Sequence, residues 1–235
     1  MARDPIAHRL LAAVASGLVK GLRMLPLPVV GRIGRAFGQL AWWLDRRHRR
    51  VALTNLAAVF GREKTAKELR RIAAENFRRI GESYACGIWV AGRDLAEVAD
   101  RVEIVGAEKL ARRPEESGGD DRPPNRILAV GHFGNFDLLP VVGGLYPDFR
   151  LATTYRALHP PALDRVFQSL RERSGCLFIE RRRAQFAVSR ALRSGGVMLG
   201  LLADQSGGER GVRAPFLGVE CSTSPAPVLY AIRHR

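Results

Sequence analysis

The stretch Ile127-Leu128-Ala129-Val130-Gly131-His132-Phe133-Gly134-Asn135-Phe136-Asp137 decides the fold. Ile127–Val130 is a short apolar run without polar alternation, the pattern of a strand buried on both faces. Two glycines then bracket His132-Phe133, which permits a tight turn and close backbone approach. From Asp137 to Leu145 the pattern reads as helix. A buried strand, a glycine turn and a helix in succession form the first half of a strand–helix–strand unit.

The unit repeats downstream. Leu151–Tyr155 is strand-like, and Pro161–Arg173 carries Leu163, Val166, Phe167 and Leu170 on one helical face. Cys176–Ile179 reads as strand and Ala184–Leu192 as helix, closed by Ser194-Gly195-Gly196. Val197–Ala203 is another buried strand, and a helix is expected over Ala226–Arg235. Strands alternating with helices at this spacing predict an α/β fold with a mostly parallel central sheet flanked by helices. Upstream, residues 111–125 combine Gly, Pro, Ser and charge with no apolar period, so a surface loop is expected. Residues 51–92 read as helical. No internal repeat is visible.

Residues 6–44 are apolar but repeatedly interrupted. Lys20 and Arg23 end the run Leu10–Val19, so no stretch reaches the roughly 20 residues of a spanning helix. No small-residue cleavage site precedes a polar start, as a secretory leader requires. Pro26 and Pro28 divide the segment. Its second piece sets Arg32, Arg35 and Gln39 on one side and Ile33, Phe37, Leu40 and Leu44 on the other. Trp42 and Trp43 follow, and then the cluster Arg46, Arg47, His48, Arg49, Arg50. An apolar face, tryptophans and a basic cluster make up a helix that lies in a membrane interface. Two parts are expected: a membrane-associated helical arm over residues 1–50 and a catalytic domain over 51–235.

Charge sharpens this division. The chain has 235 residues, with 38 Lys+Arg against 23 Asp+Glu and a net charge of +15. Residues 1–50 hold ten basic and two acidic residues, while residues 51–130 are nearly neutral. Such a field suits anionic lipid, an acidic protein or nucleic acid alike. Nucleic acid is disfavoured because there is no finger spacing and no aromatic recognition block, and aromatics are only 7% of the chain. The three cysteines, Cys86, Cys176 and Cys221, are dispersed and form no CxxC pair, so neither a disulfide framework nor a cysteine zinc site is expected.

In open α/β sheets, ligands bind where strands give way to helices. His132 is at such a point, and Asp137 lies five residues on, in the first turn of the expected helix. Across a bent turn the carboxylate reaches the imidazole, fixes its tautomer and makes the other nitrogen a better base. That is the requirement for removing a proton from an alcohol. A satisfied histidine, with Asp137 as a helix N-terminal charge, remains open on these residues alone.

Gly131–Asp137 resembles the HxxxxD/E motif of the glycerolipid and lysophospholipid acyltransferases. More closely it is similar to their bacterial lipid A biosynthesis (lauroyl/myristoyl) branch. Further blocks resemble that branch in the same order: Thr54-Asn55-Leu56 with Ala58-Val59-Phe60, Tyr155-Arg156 with Pro160 and Asp164-Arg165, and Leu202-Ala203-Asp204-Gln205. Pro215-Phe216-Leu217-Gly218 and Thr223 complete the series. Asp137 stands where the branch commonly has Glu, and Phe136 where it has Trp. Members of the branch continue beyond a position like Arg235, which leaves open a truncation at the C-terminus.

The resemblance implies acyl transfer from an acyl thioester to a hydroxyl of a lipid A precursor. His132 would be the general base, oriented by Asp137. Gly134, Asn135, Phe136, Tyr155, Arg156, Asp204 and Gln205 are the implied substrate-binding residues. Among these, backbone N–H groups near Gly134-Asn135 and the Arg156 guanidinium are candidate oxyanion donors, and Asp204 would orient an arginine or hold the acceptor. No metal and no cofactor is implied. The implied partners are acyl-carrier protein as donor, an anionic glycolipid as acceptor, and the cytoplasmic face of the inner membrane. A lysophospholipid or a phosphoinositide mannoside is the alternative acceptor. A basic nucleic-acid-binding protein is the alternative from another class.

Overall fold

A computed structural model describes residues 5–91, 93–109, 124–143 and 148–234. The expected loop lies mostly outside this set, as does the end of the expected Asp137–Leu145 helix. Four long helices come first: α1 (Ile6–Met24), α2 (Leu27–Leu44), α3 (Arg46–Phe60) and α4 (Ala66–Val90). Pro26 and Pro28 separate α1 from α2, with Pro28 in the first turn, where the missing N–H costs nothing. Asp45 ends α2 and caps α3 by accepting the His48 backbone N–H at 3.0 Å. Thr65 and Glu68 start α4 with a reciprocal capping box, Thr65 N–H to Glu68 Oε2 at 2.8 Å and Glu68 N–H to Thr65 Oγ1 at 3.3 Å.

The boundary expected at residue 50 falls inside α3, and the packing crosses it. Helix α2 lies along α4 through Gly34, Gly38 and Gly81. A methyl group at Gly38 would strike the Phe77 carbonyl oxygen, and one at Gly81 would strike that of Gly34. The helix backbones are therefore in contact. Arg35 reaches across to Glu75 at 2.9 Å and Glu82 at 3.1 Å, and Arg78 donates to Gln39 at 2.6 Å. Arg35 and Gln39 of α2 thus face a neighbouring helix, while Arg32 is exposed. Phe37, Leu40, Trp43 and Leu44 are left exposed. Among the described residues no helix is long and apolar enough to cross a membrane.

A short helix α5 (Leu95–Ala99) leads towards the sheet. The strands are β1 (Arg126–Val130), β2 (Arg150–Tyr155), β3 (Leu177–Glu180) and β4 (Val197–Leu202), all parallel, in the order β1-β4-β2-β3. Between them run α6 (Leu139–Val142), α7 (Pro161–Arg171) and α8 (Ala184–Arg193). Val197, Leu199 and Leu201 of the inner strand β4 pack with Ala152, Ile179 and with Val188 and Leu192 of α8. Burying each of the larger side chains contributes about 1.5–3 kcal/mol. A second core joins Val30, Ala85, Trp89, Val90 and Val98, and Leu138 and Val141 from just after the histidine turn pack against it. The N-terminal helices therefore brace the segment that follows His132.

Beyond the sheet, β5 (Val212–Phe216) and β6 (Val219–Thr223) form an antiparallel hairpin, followed by α9 (Ala226–Arg233). Leu217 and Gly218 both have positive φ, 50° and 76°, as a two-residue turn of this hand requires. The quoted block Pro215–Gly218 held this hairpin, but no strand was expected there.

Candidate active site

All four sheet strands are parallel, so their C-terminal ends share one edge. In spatial order this edge carries His132 after β1, Asp204 and Gln205 after β4, Arg156 after β2 and Arg181 after β3. Pairing of β1 with β4 extends past the strands, where Ala203 N–H donates to the Val130 carbonyl at 2.9 Å. This brings Asp204 directly to His132. Its Oδ2 accepts the His132 backbone N–H at 2.7 Å, and its Oδ1 lies 2.7 Å from Nδ1 of the ring. Gln205 Nε2 is 3.4 Å from His132 Nε2. Phe136 meets the ring edge-on at 4.9 Å between centroids. Gly134 turns the chain through positive φ, 58°, between the two.

The Asp204 carboxyl is desolvated, which opposes ionisation. The hydrogen bonds and charge of His132 outweigh this and hold it below the usual carboxylate range. An ionised carboxylate accepts but does not donate. A hydrogen bond between the two groups therefore has Nδ1 as its donor.

The HxxxxD spacing predicts that Asp137 orients His132. Among the described residues, the ring's hydrogen-bonding partners are Asp204 and Gln205, and Asp137 is felt through its charge. Asp137 is exposed at this edge, yet protein crowds its carboxyl. Loss of bulk water raises its pKa, while the charges of Arg171 and His132 pull it back. Helix α4 makes room for it: a Cβ on Gly87 would lie 3.3 Å from Asp137 Cβ and 3.6 Å from Asn135 Oδ1. Asn135 Oδ1 is buried there without a hydrogen-bond partner.

Tyr155 is further along the edge, with the Arg171 guanidinium over its ring at 5.2 Å and over Phe178 at 5.4 Å. Desolvation, with Asp164 and Glu180 nearby, raises the Tyr155 hydroxyl pKa. Arg156 is exposed. Strand β4 stands between β1 and β2, so Arg156 starts two strands from His132, roughly 10 Å at ordinary strand spacing. The structure thus unites His132, Phe136, Asp137, Asp204 and Gln205, and sets Tyr155 and Arg156 on the far flank. Reasoning from sequence did not find Gly87 or the place of Arg171 beneath Tyr155. Nor did it pair Asp204 with His132, because strand order is not written in local pattern. Among the described residues no group of three or more His, Cys, Asp and Glu is placed to hold a metal ion.

The imidazole–carboxylate pair lies at the C-terminal edge of a parallel α/β sheet, the edge at which open sheets of this class bind their ligands. The chain is a member of the bacterial lipid A biosynthesis acyltransferase family, whose description matches residues 6–235. It is 29% identical over 202 residues to the lipid A biosynthesis palmitoleoyltransferase of Escherichia coli (strain K12), and equally to a lipid A biosynthesis acyltransferase of Shigella flexneri. The aligned part is 83% of this chain and 61% of each relative, so the chain spans about three fifths of the length of the curated relatives it matches.

Proposed function

We propose that the protein is an O-acyltransferase that moves a fatty acyl group from an acyl thioester, carried by acyl-carrier protein, to a hydroxyl of a lipid A precursor. The observation that carries this reading is the His132–Asp204 pair at the open end of β1. His132 Nε2 takes the proton of the acceptor hydroxyl, and the oxygen attacks the thioester carbonyl. The tetrahedral oxyanion needs donors already in place, each worth about 2.7–4 kcal/mol. Backbone N–H groups at Gly134-Asn135 are assigned this task. Collapse breaks the carbon–sulfur bond, and the departing thiolate recovers the proton from the imidazolium. Asp137 adds negative charge that favours the imidazolium while it exists.

An acyl-enzyme is unnecessary on this route, and Cys176 and Cys86 are ill-suited to form one. Burial pushes the Cys176 thiol up to about 12 and raises that of Cys86 as well. Only a thiolate is an effective nucleophile.

The acceptor is met at the cytoplasmic face of the inner membrane. The exposed apolar side chains Leu10, Val14 and Leu18 of α1 and Phe37, Leu40 and Trp43 of α2 support this placement. So does the exposed basic start of α3, Arg46 and Arg47. Interfacial binding combines apolar area with attraction to anionic lipid.

The test incubates the purified protein with an acyl donor, on carrier protein or on coenzyme A, and a lipid A precursor, followed by mass spectrometry of the lipids. Gain of one acyl mass from the carrier-bound donor is expected. Absence of acylated product with either donor would overturn the reading.

A further inference from the structure

We propose that the outer face of α8, with the arginine turn that leads into it, is the surface on which the acyl-carrier protein docks. The inference rests on the proposed carrier-bound donor and names the face that receives it. Residues Arg181–Arg193 hold five arginines and no Asp or Glu. Val188, Ala191 and Leu192 of α8 turn inward to the sheet. Arg182 in the preceding turn, Phe186 four residues on and Arg190 four further are all exposed. Phe186 is 84% exposed. An open aromatic ring between two guanidinium groups fits an acidic partner with an apolar centre. Aromatic and Arg side chains anchor interfaces, and complementary charge steers the encounter.

Topology gives this face to the aqueous side. The steps from β1 to β2 and from β2 to β3 cross the sheet in one direction, whereas the step from β3 to β4 comes back past β2. Right-handed crossovers therefore set α6 and α7 on one face of the sheet and α8 on the other. Helix α9 joins α8: Ala226 and Tyr230 pack into the same core, and His234 Nε2 lies 3.3 Å from Ser189 Oγ. The N-terminal helices lie on the other side, where Val141 of α6 packs against the cluster of Val30 and Trp89, and α1 contacts α7. The exposed apolar side chains of α1 and α2 thus belong to one side of the molecule and the α8 arginines to the opposite one. A bilayer held at α1 and α2 leaves α8 to a soluble partner. A second copy of the chain is disfavoured, because neither α8 nor α9 contains an acidic residue to meet these arginines across a two-fold axis. Reach agrees with this placement. Arg181 leaves the end of β3, three strand spacings from β1, or roughly 14 Å. A thioester on a flexible pantetheine arm crosses that distance along the sheet edge to His132.

Fluorescence anisotropy of labelled holo-acyl-carrier protein, titrated with the full chain, tests the surface. Wild-type affinity should fall as salt is raised. Arg182→Glu with Arg190→Glu should weaken binding about tenfold or more, and Phe186→Ala about tenfold, as loss of an anchoring side chain does. Arg182→Gln with Arg190→Gln, which removes the charge without reversing it, should have a smaller effect of the same sign. Melting temperatures should match the wild type, because all three side chains are exposed, and sedimentation with anionic vesicles should be unchanged. In the acylation assay the charge reversal should raise KM for the carrier-bound donor and leave kcat as it is. Carrier binding that is undetectable in the wild type, or unaltered in the folded variants, would overturn the proposal. So would variants that lose vesicle binding in place of carrier binding, which would make α8 a lipid surface, or variants that change the oligomeric state of the chain. Failure of the underlying reading looks different: the carrier would bind at α8 in the same residue-dependent way, with no acyl group transferred.

Discussion

The indole N–H of Trp89 donates to the main-chain carbonyl of Leu25 at 2.8 Å, tying the last turn of α4 to the bend between α1 and α2. Trp89 is 4% exposed and carries the Arg93 guanidinium over its ring at 4.1 Å. Arg93 in turn donates to the Arg23 carbonyl at 2.9 Å. Trp89→Phe strands a carbonyl and leaves a gap, so a loss of about 1–3 kcal/mol is expected in chemical denaturation. For the same reason, removal of residues 1–45 should unfold the remainder instead of releasing an intact domain. A truncated chain with wild-type melting behaviour would contradict this.

His132→Ala should abolish acyl transfer and leave the circular dichroism spectrum unchanged. Loss of a general base costs roughly 10²–10⁴-fold in rate. The side chain touches Asp204, Gln205 and Phe136 at an open edge and supports no core, so folding should not respond. Wild-type turnover in this variant would remove His132 from the reaction.

Gly38→Ala should lower the melting temperature. Its new methyl would meet the Phe77 carbonyl, whose carbon and the Arg78 Cα would lie at 2.8 Å, and main chain cannot step aside as a side chain does. Forcing α2 off α4 should cost about 1–3 kcal/mol. Gly17→Ala is the control. Its methyl would meet nothing within 4 Å, and the gain in helix propensity should raise stability by about 0.5–1 kcal/mol.

Acid should weaken the α2–α4 contact through Glu75. Hydrogen bonds from Arg78 and Arg35 hold its carboxyl at about 2 against an ordinary 4.5. The unfolded chain takes up this proton first, so the ionised form stabilises the fold fully above about 4.5. That contribution fades as pH falls towards about 2. Glu75→Gln should therefore be less stable than wild type at neutral pH and should lose less between these limits. Parallel acid titration curves for the two proteins would count against the mechanism.

Leu40→Asp together with Trp43→Ser should release the protein from anionic vesicles without lowering its melting temperature. Leu40 is 43% exposed and Trp43 is 62% exposed, so neither contributes much to the core. Vesicle sedimentation in low and high salt measures the apolar and the electrostatic parts separately. Undiminished sedimentation of the double variant would place the lipid contact elsewhere.

Local signals were legible where the chain decides matters locally. Apolar runs marked β1, β2, β3 and β4 within a residue or two, and Pro26, Pro28 and Gly195 marked the breaks. The family, too, could be read from blocks in register. What local pattern could not carry was adjacency. Only the strand order puts β4 beside β1, and so brings Asp204 to His132 instead of β2 with Arg156. The faces of α2 show the same limit. Arg35 and Gln39 look like a solvated stripe until Glu75, Glu82 and Arg78 of another helix are set against them. The β5–β6 hairpin escaped because Pro215 and the Leu217-Gly218 turn obscure a strand pattern only five residues long on either side.

Insertion of β4 between β1 and β2 also dictates when the histidine turn acquires its carboxylate. The two members of the imidazole–carboxylate pair are 72 positions apart. Chains emerge from the ribosome N-terminus first, at roughly 5–20 residues per second. For seconds after His132 has been made, the nascent chain holds a histidine with no oriented proton acceptor. Strand β2, made earlier, must also leave its neighbour's place open for β4 to enter. Assembly of the pair is thus a late, long-range event in the life of each molecule, set by contact order more than by the local stability of the histidine turn.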